Sequence, residues 1–188
     1  MIAGSENVLA GIDYAPDLIL IADDNSSPAD ENLAEAIRRK GGATSRVPIV
    51  NWSAARAGFS GQTHTSFDEI LGRPCTAEQL LRTSGRWRPE ALPAAFVRLK
   101  DAFGEAAALD LLDRFRQLLI EVHGALATDR ARDLAHRVAG MAGMLGFTAL
   151  GQKWLALSEG ENTDLDQLRR ATRRAILTID RELPEPSV

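Results

Sequence analysis

DRARDLAHRVAGMAGMLG, residues 129–146, is the stretch whose reading decides the fold. On a helix of about 100° per residue, Leu134, Val138, Met141 and Leu145 fall within roughly 60° of one another and make a core-facing stripe. His136 falls about 180° from the centre of that stripe, so it is expected to point to solvent. Ala139, Gly140 and Gly143 follow around the same face. Each glycine inside a helix costs about 0.5–1 kcal/mol relative to alanine. An ordinary solvated face has no use for two of them. Either they let a neighbouring helix pack closely, or they strip the surface around one imidazole so that a second protein can reach the ring.

Outward from this stretch the chain reads as helix on both sides. Helical patterns cover about 93–103, 105–127, 129–146, 147–159 and 164–183, punctuated by Gly104, Gly124, Gly146 and Gly160, with Asp129 and Thr163 as expected N-caps. Short connections between long helices predict antiparallel neighbours in a bundle. The first half is different. Leu18-Ile19-Leu20-Ile21 and Val47-Pro48-Ile49-Val50 read as buried strands, with a short third at Asp68 to Leu71. Helices are expected at Glu31 to Lys40 and at Thr76 to Thr83, the latter capped by Thr76. The composition shifts around Ser84 to Pro89. The predicted organisation is therefore an α/β module over 1–86, a linker over 87–92, and an all-α up-down four-helix bundle over 93–184.

The totals exclude several classes. The 188 residues are 45% hydrophobic and 26% charged, enough for a buried core. A net charge of −4, spread evenly over the two halves, argues against a nucleic-acid partner. The single cysteine, Cys75, forbids an internal disulfide and fits a reducing, cytoplasmic setting. No apolar run reaches membrane-spanning length, and the N-terminus lacks a secretory pattern.

The run from Ala135 to Gly146 resembles the signature of histidine phosphotransfer domains: His136, Gly140 four residues on, a small residue at Ala142, Leu145 and Gly146. Phe103-Gly104, the Leu111 to Phe115 segment, Leu150 and the Leu155–Glu159 stretch are similar to the rest of that family's helical frame. The resemblance covers about residues 91–183. It implies that His136 accepts a phosphoryl group from an aspartate of a response-regulator receiver domain and donates it to another, with a histidine kinase upstream. A neutral imidazole nitrogen serves as nucleophile, and the receiver brings the magnesium and the positive charge. The chain then needs no cofactor or metal of its own and is not an enzyme with an ATP-binding or hydrolytic site. Two positions depart from the family. Ala139 stands where the family usually has a lysine that helps hold the phosphate. Arg132, one turn earlier on the same face, and Arg137, next in sequence, are the cations at hand, and arginine grips phosphate with a two-pronged donor array. Ser158 stands where the family often has Gln or Glu near the imidazole, so the ring's orienting partner is open.

The first half resembles the later part of a receiver domain over about residues 5–85. Pro16 to Ile21 is similar to the strand that ends in the phosphorylated aspartate, Val47 to Ala54 to the strand ending in a hydroxyl residue and alanine, and Ile70-Leu71-Gly72-Arg73-Pro74 to the Lys-Pro turn, with Arg73 replacing lysine. Counting along the first strand puts Ala22 at the phosphoacceptor position, with Asp23 and Asp24 just after it, and the opening strand with its acidic pair has no counterpart. The resemblance implies a truncated pseudo-receiver used for contact. A sheet without its first strands has exposed edges, and homodimerisation through this module is one way to cover them.

Other candidates carry less. His123 is expected to satisfy helix-end carbonyls and His64 to sit idle in a polar loop; with His136 they are too scattered for a metal site. Arg169, Arg170, Arg173 and Arg174 read as a solvated basic band, and Trp52, Trp87 and Trp154 as packing residues. The alternative function is a non-phosphorylated adaptor that binds receivers or kinases through the helices.

Overall fold

The computed structural model describes residues 16–23, 28–41, 44–53, 66–88, 90–126 and 128–183. His64 and the loop around Asp24 lie outside them. The chain divides into two compact units, 1–88 and 89–188.

The first unit holds three parallel strands in the order β1 (Ile19–Asp23), β2 (Ile49–Ser53), β3 (Glu69–Gly72). Ile19 pairs with Ile49 and Val50 with Glu69. Helix α1 (Pro28–Lys40) lays Ala34 and Ile37 against Ile21, Ile49 and Phe67 to make a small core. Helix α2 (Ala77–Arg86) starts at Thr76, whose hydroxyl accepts from the Gln79 N–H while the Gln79 side chain accepts from the Thr76 N–H.

The strands lie one to three residues later than the sequence pattern places them. Proline at 48 has no N–H to donate, and only its carbonyl joins the ladder, accepting from the Ile19 N–H at 2.9 Å, so residue pairing on β2 begins at Ile49. Asp68, expected within the third strand, does another job. Its Oδ2 accepts from the Ile49 N–H (2.8 Å) and from Arg38 Nη2 (2.5 Å). Arg38 also donates to the carbonyls of Ser45 (2.8 Å), Val47 (2.6 Å) and Ser66 (3.3 Å). One guanidinium from α1 thus ties down the segments entering β2 and β3. Trp87, expected to begin the linker, is 1% exposed and donates from Nε1 to Glu69 of β3 (2.8 Å). Trp52 is half-buried under the Arg73 guanidinium, 4.4 Å from its ring centroid.

The second unit is helical among its described residues: α3 (Ala94–Phe103), α4 (Glu105–Gly124), α5 (Asp129–Leu145), α6 (Thr148–Ser158) and α7 (Leu165–Asp180). All five contribute to one core, with Phe96, Phe115, Leu119, Val138, Trp154 and Ile176 among its members. The expected caps are each off by one: Thr128 precedes α5 without a side-chain cap, and Asp164, accepting from the Gln167 N–H, caps α7. Trp154 Nε1 donates to the Thr172 hydroxyl at 3.2 Å, so its buried N–H is satisfied. The expected solvated band on α7 is not what forms. Arg173 is 7% exposed, Arg169 lies 3.9 Å from Asp166, and Arg174 pairs with Glu90. Eight of the sixteen residues of α7 are buried, which leaves little room for an all-solvent face.

Candidate functional site

His136 sits mid-way along α5 and is exposed. The core stripe beneath it is not quite the expected one. Ala131, Ala135, Val138, Ala142 and Leu145 are buried, while Leu134 and Met141 are only partly so. The stripe is thus turned by about 50° from the sequence expectation. His136 lies about 140° from its centre, still on the outer side.

The rotation has a packing cause. Gly151 of α6 faces this side of α5: a Cβ there would stand 3.2 Å from the Ala139 carbonyl oxygen and 3.4 Å from the Ala142 Cβ. Small residues on both helices let the backbones approach, so alanines take the buried positions. At the end of α5, Gly146 adopts φ +89° and turns the chain into α6; a Cβ there would lie 2.7 Å from Cβ atoms of Pro93 and Ala95.

Gly140 and Gly143 behave otherwise. Both are exposed, and a Cβ added to either would meet no atom of another element within 4 Å among the described residues. Close packing in this fold is therefore not why they are glycine. Of the two readings open in the sequence, the internal one lacks a contact to rest on.

The side chains of Arg132, Asp133, His136 and Arg137 are exposed and hold no hydrogen bond or ion pair among the described residues. Arg130, two residues before Arg132, is instead held by Glu121 of α4 (3.0 Å from its Nε). Arg132 comes one turn before His136 on the same side of the helix, whereas Arg137 lies about 100° round it. Ala139 is half-buried toward α6. Ser158 donates its hydroxyl to the Leu155 carbonyl at 2.7 Å, so its proton is committed within its own helix. The structure therefore gathers His136, Arg132, Gly140 and Gly143 on one outer face, with Arg137 at its margin and Ala139 and Ser158 turned to other contacts. Two features were missed from sequence. Asp133 puts a carboxylate three residues before the histidine, and Met144, 51% exposed, lies about two turns beyond it. Both were legible by helical spacing.

Elsewhere, Ala22 of β1 pairs with Trp52 and is exposed, and the buried Ser53 lies beside Asp23. His123 is half-buried in the last turn of α4. No group of three or more His, Cys, Asp or Glu residues suited to a metal ion occurs among the described residues. No helix there is long and apolar enough to cross a membrane. Comparison with protein-family models, with curated proteins and with solved structures gave no match.

Proposed function

We propose that this chain is a phosphorelay protein whose His136 accepts a phosphoryl group from the aspartate of one receiver domain and passes it to another. In this reading α4 to α7 form the up-down four-helix bundle of a histidine phosphotransfer domain, and the first unit is a pseudo-receiver with Ala22 at the acceptor position. The observation that carries the reading is the pairing of an exposed His136 with Gly140 and Gly143, whose missing side chains leave open space outside the helix. A surface lowered around a nucleophile suits a second active site that must close to bonding distance of the ring. Arg132, uncommitted one turn away, supplies a cation for the phosphoryl oxygens in place of the lysine absent at Ala139. Magnesium belongs to the receiver in this scheme.

The test is incubation of the whole chain, and of His136→Gln, with a panel of phosphorylated receivers, followed by mapping of acid-labile phosphate. Label on His136 that disappears in the variant is expected, with an unchanged circular dichroism spectrum. Label on His123 or His64, or undiminished labelling of the variant, overturns the assignment. Receiver binding without any label would favour the second reading, an adaptor, to which the alanine at 139 points.

A further inference from the structure

The outer face of α5 carries an anion as well as a cation. Asp133 and Arg132 lie three and four residues before His136, both exposed and both without a partner among the described residues. Their freedom is notable because Asp133 and Arg137 have the acid-first, four-residue spacing that favours a helical ion pair. The same spacing closes at Asp110–Arg114 (2.8 Å) and at Glu78–Arg82 (3.6 Å). On α5 it stays open.

We infer that Asp133 is an electrostatic counterweight to the phosphoryl group on His136, setting where the transfer equilibrium lies; this rests on the phosphotransfer reading above. In the transfer the P–O bond of the receiver's acyl phosphate breaks and the aspartate leaves as a carboxylate. A P–N bond forms from the lone pair of one imidazole nitrogen, and the other ring nitrogen releases its proton to solvent. About −1.5 to −2 charges then arrive on the ring. Residues three apart on a helix have Cβ atoms about 5–6 Å apart, so Asp133 repels the incoming charge while Arg132 attracts it. Near-cancellation leaves phospho-His136 neither trapped nor depleted, as a group that must pass the phosphoryl on requires. Removing the carboxylate unmasks the guanidinium. For exposed charges about 7 Å apart, with and without salt screening, the shift is about two- to eight-fold in the transfer equilibrium.

The experiment measures the equilibrium between one phosphorylated receiver and wild type, Asp133→Asn or Asp133→Glu, at low and high ionic strength. Asp133→Asn is expected to raise the phosphohistidine fraction, with the gain shrinking in salt, and Asp133→Glu to match wild type. An unchanged equilibrium at low salt overturns the inference. So does a gain indifferent to salt, which would mean a structural effect. If wild-type His136 takes no label from any receiver, the phosphotransfer reading itself falls and the counterweight with it.

Discussion

Two sets of charged side chains in this chain are built in opposite ways. In the first unit Arg38 and Asp68, 17% and 3% exposed at the side chain, are closed on each other and on four backbone groups. On α5, Arg132, Asp133 and Arg137 are exposed and closed on no partner among the described residues. Charges taken out of water must be matched, because each unmatched one carries its full desolvation penalty. Charges left in water contribute little to stability and remain available to something else. The same residue types therefore mark an internal anchor in one place and an open, uncommitted surface in the other.

The sharpest way to break this contrast is Asp68→Ala. It removes the carboxylate that balances the Arg38 charge and leaves the Ile49 N–H without its acceptor at the entry to β2. Removing one member of a buried pair costs about 3–5 kcal/mol. Urea unfolding followed by tryptophan fluorescence reports on this unit through Trp52 and Trp87 and on the second through Trp154, so the loss is read from the transition that Asp68→Ala moves. A loss below about 1 kcal/mol, the range of an exposed pair, would show that Arg38 and Asp68 are not an anchor.

Next in size is the glycine pair. With open space outside both positions, Gly140→Ala and Gly143→Ala each remove the glycine penalty without a clash, and each is expected to stabilise by about 0.5–1 kcal/mol. The double variant should melt later than wild type yet, under the proposed function, accept phosphoryl more slowly, since two methyl groups would stand in the partner's path. Stabilisation with undiminished transfer would strip the glycines of their assigned use, and destabilisation would return them to packing.

How far these properties were legible in the sequence follows from where each interaction reaches. Helical spacing along residues 129–146 was enough to set His136 outward, because burial on a helix repeats with its own period. It placed the core stripe less well, selecting Leu134 and Met141 over Ala131, Ala135 and Ala142. Side-chain size marks what is greasy, whereas the close approach of α6 at Gly151 selects what is small. Asp68 read as the start of a strand and Arg173 as surface for a similar reason. Asp68's main partners lie 19 and 30 residues away, and no local pattern encodes them. The Thr76 cap was legible since its whole circuit spans four residues. Of the candidate site, the residues on one helix were readable by spacing, whereas the setting of Ser158, whose hydroxyl turns back to Leu155, depends on a second helix and was not.

The smallest effect on stability, and the finest test of the contrast, belongs to Arg132. No partner among the described residues is lost when it is truncated, so Arg132→Ala is expected to change unfolding free energy by less than about 0.5 kcal/mol, as for surface substitutions generally. Transfer should respond differently. Under the proposed function, a guanidinium one turn from the ring acts where the phosphoryl charge would develop, and donors at such a position influence rate far more than stability. Single-turnover transfer from one phosphorylated receiver should therefore slow in Arg132→Ala, and Ala139→Lys in that background should recover part of the loss by restoring a cation three residues after His136. The second substitution is demanding, because Ala139 is half-buried toward α6 and its carbonyl lies close to Gly151. Its unfolding curve must accompany the kinetics, so that a failed rescue in a destabilised protein is separated from a failed rescue in an intact one. If Arg132→Ala transfers at the wild-type rate, its exposed charge is solvation alone, and the likeness between an unpaired cation and a phosphate-holding one ends there.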